Sequence, residues 1–501
     1  MNFDGKNVDV EYRDSDKSVF MKCTLNSTNC KKVKKIKKQK EDIIDETKSK
    51  NNIWQFTYTP GTFENKQRTY EIKNTKDGYI YTKVEQTPYW DLVAEQITIG
   101  AFSPDNSYFF YLSDRDGFMS IYEINLNQID TTLTGIKLNI PVNEITTFTM
   151  DTSGNLFIIG NEKENPYNWQ LYKYNIQNKT YEKILDYVKP DEQIKDKNGY
   201  IIINEMTNTG YSPVFYNEKN KKIIHLKNKL FSTKTFKKDS TREILKIQQS
   251  TGVLLKPKKQ KINNVVIWLH GGPYRQTSLR FHNFLSYGVY DNILEKLREN
   301  GLYVLKLDYK GSLGQGRAYS ESIKYNIGKE DVNDVINAIK YMKDKYDVKN
   351  VYLAGNSYGG YLSLKTIAEH SEQINGVVSI AGVTDWKELI EGLPSTIFKT
   401  QFDGMPNENN KIYYDQANIK NKINNIKDNT ITIIHGTNDR TIPVSQAQNF
   451  YEYLKTNNKK ESLVLYKGED HVILKQKNIK NLCEQIFTSF GLKNKKTTCS
   501  K

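Results

Sequence analysis

"VYLAGNSYGGYLSL", residues 351–364, sets a serine between two glycines where one hydrophobic rhythm gives way to another. Val351, Tyr352, Leu353 and Ala354 read as a short buried strand, and Tyr361 to Ala368 read as a helix. Ser357 therefore falls on the corner between them. Gly-x-Ser-x-Gly at a strand-to-helix corner is a nucleophile elbow. Gly355 and Gly359 let the backbone pass close to its neighbours, and the serine is held in a strained turn with its hydroxyl exposed. The pentapeptide alone fits a tight turn equally well, so the flanking sequence has to supply the rest of a hydrolytic site.

Outward from this corner, strand-like "NVVIWLHGG", "LYVLKLDY", "INGVVSIAGV", "TITIIHGTND" and "SLVLYKGEDH" alternate with helical stretches at 330–346, 358–369, 444–456 and 475–490. Buried strands alternating with helices make a mostly parallel sheet covered on both faces. In such sheets functional groups collect at the carboxyl ends of the strands, and Ser357 ends one of them.

A serine hydroxyl is a poor nucleophile at neutral pH and needs a base, with a carboxylate to orient that base. The order on this kind of sheet is serine, acid, histidine. Six histidines are available. His225 lies in a β-rich region far upstream, His270 and His282 precede the serine, and His370 ends the helix that the serine opens. His435 sits inside the strand leading to the acid loop, too early for the base. His471, in "YKGEDHVI", remains. The acid is expected after the strand between serine and histidine, where "TITIIHGTNDRTIP" offers Asp439. Asp470 adjoins His471 and cannot easily reach around to its ring. Acyl transfer also needs N–H donors for the developing oxyanion. The Tyr358 amide is one. "VVIWLHGGPYRQ" puts His270, Gly271 and Gly272 on the loop that would give the second.

Before about residue 240 the rhythm is different. Short β-rich runs follow one another, separated by Asn, Asp, Gly and Lys turns, with almost no helical period. "FSPDNSYFFYLSDRDGFMSIYEIN" and "FTMDTSGNLFIIGNEKENPYNWQLYKYN" share the order strand, turn, strand, loop, aromatic strand. They begin roughly 46 residues apart, a blade-length spacing for a β-propeller. "NTGYSPVFYNEKNKKIIHLKN" reads as a degenerate third copy. The division expected is a propeller-like domain over 1–243 and an α/β-hydrolase domain over 244–501. About 240 residues at roughly 40–50 per blade allow five or six blades.

The chain has 501 residues and a net charge of +15. Lysines are scattered apart from "KKVKKIKKQK" at 31–40, which reads as a solvated loop or exposed strand edge, so no nucleic-acid partner is expected. No run of about 18 apolar residues exists, so no membrane-spanning helix is expected. The first residues read as a polar strand, and four cysteines are too few for a disulfide framework. Cys23 with Cys30 and Cys483 with Cys499 can each close a short loop, while reduced thiols fit equally well. The default location is the cytoplasm, with a periplasmic or secreted one left open for a chain whose export signal was removed upstream.

Taken together, "HGGP", "DYKGSLGQGRAY", "GNSYGGY", "HGTNDRTIP" and "YKGEDH" resemble the catalytic domain of the prolyl oligopeptidase family of serine peptidases over about residues 245–492. The branch with acylaminoacyl-peptidases and dipeptidyl-peptidase-like enzymes is the nearest likeness. The resemblance implies a C-terminal α/β-hydrolase domain behind an N-terminal β-propeller, here truncated or reduced in blade number. It implies Ser357 as nucleophile, Asp439 as orienting acid, His471 as base and the HGGP loop with the Tyr358 amide as oxyanion hole. Lys310 stands where the family usually shows arginine, a change expected to touch loop support. The expected activity is hydrolysis of short peptides through an acyl-enzyme, with no metal or organic cofactor. A homo-oligomer is left open. Trp386, Phe398, Phe402, Tyr413 and Tyr414, between strands on the active-site side, are candidates for the side-chain pocket, although ordinary core packing explains them as well. The rival readings are a carboxylesterase on the same scaffold and a non-catalytic propeller interaction protein.

Overall fold

The computed structural model describes residues 46–59, 67–86, 100–129, 132–190, 194–207, 210–225, 240–257, 262–282, 284–393, 397–427, 429–492 and 499, and the backbone of strands within 2–33. The chain divides into two compact units, Met1–Lys237 with Gly314–Arg317, and Lys238–Leu313 with Ala318–Lys501.

Among the described residues the first unit has five four-stranded antiparallel sheets in which strand order follows chain order, the blades of a β-propeller. They are β1 to β4 (Asn2–Phe3, Asn7–Asp14, Lys17–Thr24, Cys30–Val33) and β5 to β8 (Glu46–Lys48, Trp54–Thr59, Gln67–Asn74, Ile80–Gln86). Next come β9 to β12 (Gly100–Phe102, Tyr108–Ser113, Ser120–Asn125, Ile136–Lys137). Then follow β13 to β16 (Glu144–Met150, Asn155–Asn161, Trp169–Asn175, Thr180–Leu185) and β17 to β20 (Lys195–Lys197, Tyr200–Thr207, Gly210–Asn217, Lys222–His225).

Successive side chains of a strand point to opposite faces, and this alternation joins neighbouring sheets. Phe109 and Tyr111 of β10 pack with Phe56 and Tyr70 of the sheet before, while Phe110 and Leu112 pack with Phe148, Leu156 and Ile158 of the sheet after. A strand apolar on both faces is what a sheet between two others requires. The windows at 102–125 and 148–175 cover equivalent strands of consecutive sheets. The third copy, 208–228, does not: it covers the third and fourth strands of its sheet and is one strand out of phase. The equivalent segment begins at β17, whose polar "KDK" joins β18 through the two-residue Asn198–Gly199 turn, both residues at positive φ. Of the lysine run, Lys31 to Val33 lie in β4, and 34–40 fall outside the described residues.

The second unit is one eight-stranded sheet in the order β21-β22-β24-β23-β25-β26-β27-β28. Its strands are Arg242–Ile247, Ser250–Leu255, Asn264–Leu269, Tyr303–Asp308, Asn350–Asn356, Gly376–Ile380, Thr430–Gly436 and Glu461–Tyr466, β21 to β28 in chain order. The last six are mutually parallel. Helices α1 (Leu285–Glu299), α2 (Arg317–Glu321), α3 (Glu330–Tyr346), α4 (Tyr358–Glu369), α5 (Trp386–Gly392), α6 (Lys411–Ala417), α7 (Val444–Thr456) and α8 (Gln476–Ser489) connect them. Two elements carry weak sequence signals. The β21–β22 hairpin turns at Gln248–Gln249, without Gly, Asn or Asp, and α1 holds Gly288 and two tyrosines in its first half. No helix among the described residues is long and apolar enough to cross a membrane.

Cys483 of α8 is bonded to Cys499, with their Cα atoms 5.9 Å apart. Cys23 and Cys30 are direct register partners across β3 and β4. A bond across a separation of 16 residues restricts the unfolded chain by about 3 kcal/mol. Cys499→Ser, or reductant, is expected to lower unfolding stability by up to about that amount in a urea titration. An unchanged midpoint would mean that the bond restrains nothing that unfolds cooperatively.

Candidate active site

β25 ends at Asn356 and α4 begins at Tyr358, which leaves Ser357 alone on the corner with φ 57° and ψ −121°. A non-glycine residue at positive φ costs energy and persists only where its surroundings impose it. Here the Ser357 N–H donates to the Ile380 carbonyl of β26 at 2.8 Å, and the Ser357 carbonyl accepts from the Tyr361 N–H at 3.1 Å. The glycines follow from crowding. A Cβ on Gly359 would lie 2.6 Å from the His270 carbonyl oxygen, and one on Gly355 2.7 Å from that of Leu269. Gly359→Ala is expected to cost about 3 kcal/mol, or to prevent folding, because the obstacle is backbone that cannot step aside. Denaturant titration checks it, and a change under about 0.5 kcal/mol, the size of an ordinary surface substitution, would contradict the close approach.

The same crowding fixes the loop after β23. A Cβ on Gly271 would stand 3.1 Å from both the Ser357 Cβ and the Asn356 carbonyl, and would meet the Tyr287 hydroxyl. The HGGP backbone thus passes directly against the serine, with Gly272 at φ 128° and a cis Gly272–Pro273 peptide. His270 does not turn its ring to this space. Its Nε2 lies 2.9 Å from Ser312 Oγ and 3.3 Å from Asp308 Oδ1, and the buried ring stacks on Tyr309 at 4.6 Å. The Tyr309 hydroxyl also donates to the His270 carbonyl at 2.6 Å. At His270 and the two glycines it is main chain, not a side chain, that lies beside Ser357.

Tyr358 is anchored in the same manner: its hydroxyl donates to Asp331 Oδ2 at 2.6 Å and its ring stacks against Tyr309 at 5.8 Å. Burial of Asp331 pushes its carboxyl up to about 7. Lys310 pairs with Glu330 at 2.9 Å and lies 3.7 Å from Asp334, so it braces the loop after β24 on α3.

Asp439 lies on the loop between β27 and α7. Its Oδ1 accepts the Thr441 and Ile442 N–H groups, both at 2.8 Å. Its Oδ2 accepts from His471 Nδ1 at 2.8 Å and faces His435 Nε2 at 3.1 Å. Burial works to raise this carboxyl, yet the bonds from the two histidines and from the backbone hold it well below the usual carboxylate range. His471 is on the loop after β28. That loop is tied down where Glu469 accepts the Leu474 and Lys475 N–H groups at 3.1 and 3.0 Å, and where the Glu469 carbonyl accepts from Asn438 at 2.8 Å. Asp470 faces away from the ring and pairs with Arg440. The Ser357 hydroxyl forms no hydrogen bond among the described residues.

Of the pocket candidates, Trp386 packs against Phe398 at 5.0 Å, Phe402 at 5.5 Å and Tyr358 at 5.9 Å, and Phe402 stacks on Tyr414 at 4.5 Å. Trp386, Phe402 and Tyr414 are buried. Tyr413 is outside this cluster and stacks on Tyr325 at 4.9 Å. Helical spacing explains the split, because adjacent residues of α6 face different directions. No group of His, Cys, Asp and Glu among the described residues is arranged to hold a metal ion. His435, too early in the chain for the base, lies instead against the acid; its position four residues before Asp439 is the signal that it leaves in the sequence.

An elbow serine, a glycine-lined loop against it and a carboxylate–imidazole pair, all at carboxyl ends of parallel strands, have the layout of an α/β-hydrolase. Residues 289–495, most of the α/β unit, match the model of the prolyl oligopeptidase family. Dipeptidyl peptidase 8 of Homo sapiens is 26% identical over 250 residues, which are 46% of this chain and 26% of that protein. Acylamino-acid-releasing enzyme of Rattus norvegicus is 27% identical over 219 residues, 42% of this chain and 28% of that protein. The chain thus spans little more than a quarter of the length of these relatives. The structure of a puromycin-hydrolyzing peptidase of Mycobacterium tuberculosis superposes with a TM-score of 0.72 at 16% identity, covering 89% of this chain and 69% of that one. That likeness is one of fold.

Proposed function

We propose that this chain is a serine peptidase that cleaves short peptides through an acyl-enzyme, with the first unit as a propeller domain and the second, which takes in all of β21, as the catalytic domain. The observation that carries the reading is the 2.8 Å bond from His471 Nδ1 to the buried Asp439 carboxylate, at strand ends of the sheet whose β25 ends on Ser357. With Nδ1 engaged, Nε2 is the nitrogen left to take the Ser357 proton as the hydroxyl attacks the scissile carbonyl. The hydrogen bond from the Ser357 hydroxyl to His471 forms when substrate is bound, since catalytic hydrogen bonds are commonly long or unmade before that. The oxyanion is received by the Tyr358 and HGGP-loop amides, worth roughly 3–4 kcal/mol for each donor. His471 returns its proton to the leaving amine, and water then repeats the sequence on the acyl-enzyme. The names of the relatives, dipeptidyl peptidase and acylamino-acid-releasing enzyme, support short peptides as substrates.

Incubation with a fluorophosphonate, followed by peptide mapping, is expected to label Ser357 alone. Hydrolysis of a peptide anilide alongside a simple ester separates peptidase from carboxylesterase, and turnover of the ester only would sink the peptidase assignment. A folded protein that takes no label would leave an interaction module. Composition points to the cytoplasm, whereas the Cys483–Cys499 bond weighs for an oxidising compartment.

A further inference from the structure

We infer that His435 is a positioning residue for the proposed acid, a second imidazole at the same Asp439 oxygen that accepts from His471; the inference rests on the hydrolase reading above. His435 is the penultimate residue of β27 and is fully buried. Its Nε2 lies 2.9 Å from the Ile442 carbonyl and 3.1 Å from Asp439 Oδ2. Both neighbours are acceptors, so Nε2 carries the hydrogen and the lone pair of a neutral ring falls on Nδ1. That Nδ1 is buried without a hydrogen-bond partner.

An orphaned buried nitrogen is a standing cost to the fold. A leucine would fill the space without that cost, so packing alone is a poor reason for an imidazole here. What only the imidazole supplies is an N–H shared between the carboxylate and the carbonyl at the far end of the same loop. Residues 439–442 are thereby closed on themselves: Asp439 Oδ1 takes two N–H groups of the loop, and His435 joins Oδ2 to the Ile442 carbonyl. The carboxylate cannot rotate away from His471 without breaking this arrangement.

The other ionisable groups near Asp439 do not take over this task. Tyr290 of α1 comes within electrostatic reach of Asp439 and Glu469, but its buried hydroxyl has no hydrogen-bond partner. Glu469 is occupied by backbone N–H groups of its own loop, and Asp470 is paired with Arg440. Two consequences follow for His471. Without the His435 N–H the carboxylate becomes a stronger acceptor, which favours the imidazolium and moves the His471 titration to higher pH. The carboxylate also loses one of its restraints, so the imidazole is less well aimed.

The test compares wild type, His435→Leu and His435→Gln, whose amide N–H can replace the lost donor. Kinetics on a peptide anilide are followed against pH, and the His471 ring is followed separately by NMR titration. For His435→Leu, kcat is expected to fall about 10- to 100-fold, the scale of a misplacement near 1 Å. KM should change little, and both the acid limb of kcat/KM and the NMR titration should move to higher pH. His435→Gln is expected to recover most of the loss. A folded leucine variant with wild-type kcat and an unmoved titration overturns the inference, as does a glutamine variant no better than leucine. Should the leucine variant not fold, nitrogen-15 spectra of the wild type decide: a hydrogen on Nδ1 of His435 instead of Nε2 contradicts the assignment. If wild type hydrolyses nothing while the His471 titration still responds to His435, the peptidase reading fails and the clamp stands.

Discussion

Ser357→Ala is expected to give a protein that folds as the wild type does and has lost hydrolysis by about 10⁶-fold, the size of loss seen when a nucleophilic serine is removed from such a triad. Both halves of that expectation come from the corner itself. The Ser357 hydroxyl makes no hydrogen bond among the described residues, so its deletion leaves no buried partner unsatisfied. What holds the corner is main chain: the Ser357 N–H on the Ile380 carbonyl and the Tyr361 N–H on the Ser357 carbonyl, both kept by alanine. Alanine also bears the same burden at φ 57° as serine, since each has a Cβ. The measurement pairs anilide hydrolysis with a urea midpoint. A stability change within about 0.5 kcal/mol, together with lost turnover and lost fluorophosphonate labelling, is the expected outcome. Turnover within tenfold of wild type would remove Ser357 from the chemistry, whatever the rest of the corner looks like.

How far such a site can be read before any coordinates depends on whether its parts leave local signals. Ser357, Asp439 and His471 each follow a strand-forming run: the strands before Ser357 and Asp439 are buried, the one before His471 is a half-exposed edge strand, and Gly355, Gly359 and Gly436 stand where crowding excludes a side chain. Gly359 is required by the carbonyls of Leu269 and His270, ninety residues earlier by rough count, yet its pattern with Ser357 and Gly355 is visible within five positions. The blades were legible for the same reason. Alternation between Phe109/Tyr111 and Phe110/Leu112 makes β10 apolar on both faces. What was not legible lacks a local mark. The β21–β22 hairpin turns on two glutamines, with Gln248 at φ 54°, and nothing in that pair announces a turn. The role of His435 depends on where Asp439 and Ile442 come back to it in space. The choice between thiols and a Cys483–Cys499 bond depends on how the tail returns to α8.

Asp439→Asn is expected to lower kcat by about 10⁴-fold with the fold retained, and the reason lies in counting donors. The carboxylate meets four N–H groups: Thr441 and Ile442 on Oδ1, His471 and His435 on Oδ2. A carboxylate accepts at both oxygens, but an amide accepts at only one. If the asparagine oxygen stays with the backbone N–H groups, its NH2 faces His471 Nδ1. The imidazole then has to accept at Nδ1 and carry its hydrogen on Nε2, where it cannot remove a proton from Ser357. If the amide turns over, its NH2 is set against the Thr441 and Ile442 N–H groups and the loop is strained. Either way the base is lost, by tautomer or by position. Stability supplies an independent reading. The native Asp439 carboxyl is held below its ordinary value, so its contribution is complete above the unfolded value of about 4 and is lost as pH falls through the lower native one. The stability gap between wild type and Asp439→Asn should therefore not shrink from pH 7 to 5 and should close only in strong acid. Urea midpoints at pH 7, 5 and 3 measure it. A gap that closes already between pH 7 and 5 would show that Asp439 is not the ionised partner of His471, and kcat within tenfold of wild type would show that His471 does not need it.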